Sequence, residues 1–351
     1  MAEKKFAFES EDVSIAFTLN YGLGDCLIAK KVFDALIELA PRCVIDIFFE
    51  QERHFVYAHA FYGDSKNLNL ILSRPELYKN VVKQYDLALW VVGNHFINLE
   101  HVNSERLHAM APELLQSVIR IHEYNQQNVY NQPVSLRDMI RARILKKSCF
   151  YFLSCDGALP IRDDRISVAL APEYKPKFDA LKLDNYITIY TDIGKDRDRP
   201  KNKTWPARYL YEFVARVRKR YPQVEIVQAG GANDVEIENA DRRLLNGDLE
   251  LTKYVLANSL LLIGCEGGLV HLATALGTKC VVLFGASGVD YFGYDRNINI
   301  VSDVCFPCMY IAAEWTDCLR GDREPPCMLS ITPQHVCEVT CNYLKHCGLE
   351  K

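Results

Sequence analysis

The sequence predicts an α/β protein made of two successive doubly wound parallel sheets. Three observations predict it. Short β-rich runs alternate with amphipathic stretches at helical spacing through both halves of the chain. Glycines follow several of those runs, at Gly22-Leu-Gly24, Gly230-Gly231 and Gly267-Gly268. A chain of 351 residues, 49% apolar and 25% charged, is too long for one ordinary domain and suits two.

The first unit opens on a strand at 13–18, turns through Asn20-Tyr-Gly-Leu-Gly-Asp25, and enters a helix over 26–40. There Leu27, Ile28, Val32, Phe33, Leu36 and Ile37 recur at helical spacing, and Pro41 closes the run. A strand at 43–49 completes a βαβ unit, which implies parallel pairing. A further strand is expected at 85–92 and a helix at 107–120. Gly157, Pro160, Pro172 and Pro176 then punctuate polar sequence, so the junction falls there. We divide the chain into an N-terminal domain, 1–165, and a C-terminal domain, 166–351. The second unit runs strand 186–191, helix 207–221, strand 224–228, strand 259–264, helix 269–276 and strand 280–284. It ends on a helix to Lys345, with Thr332 as N-cap and Pro333 at the first helical position.

Composition narrows the function classes. Forty-one basic against 45 acidic residues give −4, so no global field recruits nucleic acid. The N-terminal MAEKKFAFESEDVSIAF lacks the apolar core of a secretory signal. The most apolar stretch, 255–276, contains Asn258, Glu266 and His271 and reads as a buried strand and helix. A cytoplasmic setting with reduced thiols is therefore expected. Of 13 cysteines, seven fall in the last 47 residues, and in a reducing compartment such crowding suggests a metal site.

Three segments carry chemistry. At the first strand-to-helix turn Gly22 and Gly24 allow close backbone approach, but the third glycine of a dinucleotide fingerprint would fall at Leu27. Asp25 at the helix start is either a dipole-favoured helix carboxylate or a general base for a hydroxyl. The loop Lys195–Pro206, KDRDRPKNKTWP, holds five basic residues able to meet a phosphate. Lys203 is the best placed, because Trp205-Pro206 fixes the loop's end. In Gly264-Cys-Glu-Gly-Gly-Leu-Val-His271, a strand, two glycines and a helix start make an anion site suited to a diphosphate. Glu266 could accept sugar hydroxyls there. His271 reads either as a site residue or as a hydrogen-bonded core histidine.

GLGD at 22–25, KTWP at 203–206 and EGGLVHLATALGTKCVVLFG at 266–285 resemble glycosyltransferase family 9, the ADP-heptose-dependent heptosyltransferases. The resemblance implies a GT-B fold, two facing Rossmann-like domains with a central cleft. It implies an inverting transfer of a sugar, heptose first among them, onto an acceptor hydroxyl of a lipopolysaccharide core or a protein. Asp25 matches the catalytic base. Gly24, Thr191, Lys203, Glu266, Gly267, Gly268 and His271 match donor-binding positions. Glu266 replaces the family's aspartate and Gly267 its Ser/Thr. The acidic ribose residue is not evident after Gly230-Gly231, where Asn233 or Asp234 would stand in. No cofactor is implied for catalysis.

Cys305 and Cys308 form a C-x-x-C knuckle, and Cys318 and Cys327 follow. Four thiolates so spaced can hold zinc or iron tetrahedrally. The likeness here is to autotransporter-type heptosyltransferases whose cysteine finger holds iron; the alternative is reduced cysteines without metal. Cys337, Cys341 and Cys347 are expected to pack on the last helix. Arg137, Arg141, Arg143, Lys146 and Lys147 form either a solvated face or a peripheral contact with an anionic inner-membrane surface. Expected partners are a nucleotide-sugar donor, a glycolipid or protein acceptor and a second copy of the chain. Alternative functions are a transferase using another nucleotide-hexose for surface polysaccharide, a nucleotide-sugar epimerase, or a non-catalytic sugar-binding protein of the same fold.

Overall fold

The computed structural model describes residues 5–74, 77–92, 96–128, 136–191, 201–245, 247–309, 311 and 317–349. Two units divide the chain. The first comprises 1–134 and 147–169, the second 135–146 and 170–351.

The first unit is a five-stranded sheet of β1 (Ser14–Leu19), β2 (Val44–Phe49), β3 (Leu68–Ser73), β4 (Leu87–Val92) and β5 (Phe96–Val102), in the order β3-β2-β1-β4-β5. Every pairing is parallel except β4 with β5. β1 is buried along its whole length, as an inner parallel strand covered on both faces should be. The helix expected over 26–40 is two, Leu23–Ile28 and Lys30–Leu39, joined at Ala29. The helix expected over 107–120 is likewise split, into Ser104–Met110 and Pro112–Gln127, because Pro112 cannot donate within a continuing helix.

The second unit is a fully parallel six-stranded sheet: β6 (Tyr186–Tyr190), β7 (Glu225–Ala229), β8 (Arg242–Leu244), β9 (Leu262–Cys265), β10 (Cys280–Phe284) and β11 (Ile298–Val301), in the order β11-β10-β9-β6-β7-β8. Its core joins Ile187, Ile189, Ile263, Val281 and Leu283 to Phe213, Val214 and Val217 of the Ala207–Arg220 helix and to Val336 and Leu344 of the Pro333–His346 helix. Thr332 caps that last helix through the His335 N–H, with Pro333 next, as expected.

The unit boundary at 169/170 lies four residues beyond the expected 165/166. A more substantial departure is the Leu136–Leu145 helix, which belongs to the second unit although its sequence falls inside the first. Met139 and Ala142 are buried there, and Met139 lies against Gly288. The basic run sits on this helix and its end, with much of its charge engaged. Arg141 pairs with Asp138 at 3.6 Å, Lys146 with Asp290 at 3.3 Å, and Arg143 stacks on Phe306.

Candidate functional site

Both sheets contain a topological switch. In the second unit β7 and β8 lie to one side of β6, while the chain returns on the other side to form β9. A crevice opens at the carboxyl ends of strands that diverge in this way. Thr191 directly follows β6, and Glu266 directly follows β9. Gly264 keeps those two strands close. A Cβ there would stand 3.0 Å from the Tyr190 carbonyl oxygen, tighter than ordinary contact.

At this crevice lies a buried ionic network. Lys203 Nζ is 2.6 Å from Glu266 Oε2, and His271 Nε2 is 3.5 Å from Glu266 Oε1. His271 Nδ1 is 2.9 Å from the Tyr294 hydroxyl. With Nε2–H directed at the carboxylate, Nδ1 is the acceptor and Tyr294 the donor. Burial alone would raise the Glu266 carboxyl. The Lys203 ammonium, then His271, outweigh it and hold the carboxyl down to about 2. Lys203 ends the short Lys201–Lys203 helical turn, and two residues on Trp205 anchors it. The Trp205 indole is 1% exposed, donates Nε1–H to the Ile331 carbonyl at 2.7 Å and packs on Tyr209 and Phe213. Gly267 leads into the Gly268–Ala275 helix, whose first N–H groups face outward from the strand end. Lys195, Arg197 and Arg199 of the expected basic loop lie outside the described residues.

Glu266 thus engages Lys203 directly, where the sequence suggests only a carboxylate for sugar hydroxyls and an ammonium for phosphate. Tyr294 is a part of this network that sequence reasoning missed; a lone tyrosine in a loop carries no signal. Asp234, the proposed stand-in for a ribose ligand, is 1% exposed and accepts from the Gly231 N–H at 2.9 Å, closing its own turn.

In the first unit the switch falls between β1 and β4, and Asp25 lies just beyond β1. It is the third residue of the Leu23–Ile28 helix, half-buried, and its Oδ2 accepts the Gly22 N–H at 3.0 Å. A Cβ at Gly22 would approach that oxygen to 3.1 Å, so glycine suits the position. The capping contact expected of a helix carboxylate is therefore present, and it uses Oδ2. Gly24 lies inside the same turn.

Tyr21 is left-handed, with φ of 71°, which costs a non-glycine residue about 1–2 kcal/mol. Local bonds hold it there. Its N–H donates to Asn20 Oδ1 at 2.6 Å and its carbonyl accepts His54 Nε2–H at 2.9 Å, while His54 Nδ1 accepts the Gln51 N–H at 3.3 Å. Burial lowers the His54 pKa, keeping the ring neutral in this role. The Tyr21 ring stacks on Trp90 with centroids 6.4 Å apart and planes 5° from parallel. Burial, then the Asp25 and Glu50 charges, raise its phenol pKa. Such strain, held by dedicated contacts, clusters at functional sites.

The cysteine finger occupies 305–327, with 310 and 312–316 outside the described residues. Cys305, Cys308 and Cys318 are half-buried and Cys327 is buried; all are free thiols. Burial, then the charges of Cys305, Cys308 and Cys318, push the Cys327 thiol up to about 12. Burial, Cys318 and Cys305 raise Cys308. The four thiols thus lie within one another's electrostatic reach. Among the described residues, however, no three His, Cys, Asp or Glu side chains are gathered closely enough to hold an ion. Cys337 and Cys341 are buried as expected, with sulfurs 3.7 Å apart, whereas Cys347 is exposed.

Residues 171–311 match the model of Glycosyltransferase family 9 (heptosyltransferase). No curated protein matches the chain in sequence. Its fold is similar to that of the E. coli ADP-heptose LPS heptosyltransferase II, with TM-score 0.59 and 15% identity over 96% of this chain and 100% of that one. It is similar to the glycosyltransferase family 9 protein of Veillonella parvula, with TM-score 0.59 and 14% identity over 95% and 97%. It is also similar to TibC, described as a dodecameric iron-containing heptosyltransferase and solved with ADP-D-β-D-heptose; the source is enterotoxigenic E. coli. There the TM-score is 0.61, with 16% identity over 96% of this chain and 77% of that one.

Proposed function

From a glycosyltransferase family 9 domain spanning 171–311, we propose that the chain transfers heptose from ADP-heptose to an acceptor hydroxyl with inversion at the anomeric carbon. The observation that carries this reading is the buried Lys203–Glu266–His271–Tyr294 network at the carboxyl ends of β6 and β9. A cation, a carboxylate and a helix start side by side support the binding of a nucleotide diphospho-sugar there. The ADP-heptose named for two of the similar structures supports the choice of donor.

In this mechanism Asp25 takes the proton of the acceptor hydroxyl as its oxygen attacks the anomeric carbon. The bond from that carbon to the ADP oxygen breaks, and the diphosphate leaves. Lys203 and the N–H groups at Gly267–Gly268 stabilise the charge that develops on it, each well-placed donor contributing roughly 2–4 kcal/mol. Lys203 must then be shared between Glu266 and phosphate, which frees one oxygen of Glu266 for a sugar hydroxyl. Thr191 and His271 complete the donor site. Thermal shift with ADP-heptose against ADP-, GDP- and UDP-hexoses tests the donor, since the ligand bound most tightly stabilises the fold most. A larger shift from a GDP- or UDP-sugar would refute it.

The four finger cysteines suit a structural iron or zinc ion chemically. Burial and the neighbouring thiols raise Cys308 and Cys327, which a bound cation would convert to thiolates, and TibC is described as iron-containing. When bound, the ion would cross-link the loop without entering the reaction. Self-association belongs to the same reading, since TibC is described as dodecameric. No described helix is long and apolar enough to cross a membrane. Peripheral contact of a cytoplasmic enzyme with an anionic leaflet would rest on exposed Arg137, Arg143 and Lys147.

A further inference from the structure

Strand β10 runs out through Gly285-Ala286-Ser287-Gly288 into the short Val289–Phe292 helix. That segment is fastened to the turn that carries Lys203. The Ala286 N–H donates to the Asn202 carbonyl at 3.3 Å, and a Cβ at Gly285 would stand 3.0 Å from the same oxygen. Asn202 is the residue before Lys203. Beyond the short helix the chain reaches Tyr294, which bonds His271. Glu266 adjoins β10 across the sheet, since its N–H donates to the Leu283 carbonyl at 3.2 Å. Ser287 therefore stands in a loop between the Lys203 turn, Glu266 and the Tyr294–His271 pair, all within the second unit.

Ser287 is 1% exposed, and its hydroxyl has no hydrogen-bond partner among the described residues. Other buried hydroxyls of the unit are satisfied. Thr188 donates to Ser259 at 2.9 Å, Thr274 to the Val270 carbonyl at 2.7 Å and Thr278 to the Leu256 carbonyl at 2.6 Å. A buried hydroxyl without a partner is unfavourable, and a ligand group that reaches it recovers the loss. Packing does not account for a serine here, because alanine fills nearly the same space without the orphaned oxygen.

Strand order decides which part of a nucleotide diphospho-sugar Ser287 can meet. In the order β11-β10-β9-β6-β7-β8, β10 flanks β9 on the side away from β6 and β7. In doubly wound sheets the nucleoside lies along the first βαβ unit, with its ribose at the end of the second strand, here β7. A diphosphate between Lys203 and the start of the Gly268–Ala275 helix then sends its nucleoside towards β7 and its sugar towards β10. A serine hydroxyl both donates and accepts, as pairing with a sugar hydroxyl requires, and brings no charge to the phosphates.

We propose that Ser287 is a further donor-site residue, whose hydroxyl bonds a hydroxyl of the transferred sugar and not the nucleotide. This rests on the transfer reaction proposed above, and it assigns sugar recognition to the loop after β10.

Isothermal titration of the full-length protein with ADP and with ADP-heptose tests it, in wild type and Ser287→Ala, beside a thermal melt of each ligand-free protein. Loss of one neutral hydrogen bond should weaken ADP-heptose about three- to tenfold and leave ADP within about twofold. Ligand-free Ser287→Ala should melt at or above the wild-type temperature, because the oxygen removed had no partner. A structural serine would instead lose stability and affinity together. Ser287→Thr, which keeps a hydroxyl, should bind ADP-heptose more tightly than Ser287→Val, which has the same shape without one. Equal loss of ADP and ADP-heptose, unchanged affinity for both, a lower melting temperature of Ser287→Ala, or equal ADP-heptose affinity of Ser287→Thr and Ser287→Val overturns the proposal. A wild type that binds ADP but not ADP-heptose would sink the heptosyl-transfer reading and take the Ser287 assignment with it. Wild-type binding of both ligands with Ser287→Ala unchanged would sink that assignment alone.

Discussion

Replacing Asp25 with asparagine keeps an oxygen able to accept the Gly22 N–H, so the cap survives while the basicity is lost. Asp25→Asn should lower turnover by roughly 10²–10⁴-fold with an unchanged melting temperature and donor affinity. Steady-state kinetics beside a thermal melt check it, and a turnover near wild type would remove Asp25 from the mechanism. Glu266 makes a pH prediction. Its carboxyl is held at about 2 in the folded chain against an ordinary 4.5. The unfolded chain therefore takes up this proton first as pH falls. The carboxylate's contribution, on the order of 3 kcal/mol, is full above about pH 4.5 and is lost towards pH 2. Urea titrations should show a steeper stability loss over that window for wild type than for Glu266→Gln. Lys203 stood out because Trp205-Pro206 fixes the end of its loop, and Glu266 and His271 because strand, glycine and helix signals adjoin them. Tyr294 and the Tyr21–His54 bond were not, since each depends on residues brought together only by the fold.

The elements that hold those residues have weak points of their own. Gly264 pairs with Tyr190 across β9 and β6, and an alanine methyl would press on the Tyr190 carbonyl. Gly264→Ala should cost about 1–3 kcal/mol and weaken donor binding, because Thr191 and Glu266 are the next residues out. Denaturant unfolding and nucleotide titration measure the two effects. Trp205→Ala should cost about 3–5 kcal/mol and release the Lys203 turn with it. Strands β1, β2, β6 and β10 could be read closely because buried parallel strands are dense in apolar and β-branched residues. β3, β5 and β8 could not. They are only partly buried, β8 has three residues, and β5, Phe96–Val102, mixes Asn98, Glu100 and His101 into an antiparallel edge. The single long helices expected over 26–40 and 107–120 failed for a related reason. Apolar spacing persists through a kink; backbone geometry alone reveals the break at Ala29, whereas Pro112 marks the one at Ala111 in the sequence itself.

For the whole molecule, elemental analysis of the intact protein should find about one iron or zinc per chain, and chelation should lower the melting temperature. Only traces of metal would leave the finger as reduced thiols. Two-unit α/β organisation was legible from length and alternation alone, but the ownership of the Leu136–Leu145 helix was not. Sequence order placed it with the first unit, whereas packing of Met139 on Gly288 joins it to the second. That assignment has a consequence for synthesis. The helix leaves the ribosome before any strand of its own unit exists, and its partner at Val289–Phe292 is not yet made. At about 5–20 residues per second it waits roughly ten to thirty seconds. During that interval the apolar side chains of Met139 and Ala142 have no packing partner from their own unit. A gene split near codon 165 would therefore orphan this helix, and chimeras exchanging either half with a relative need two junctions rather than one.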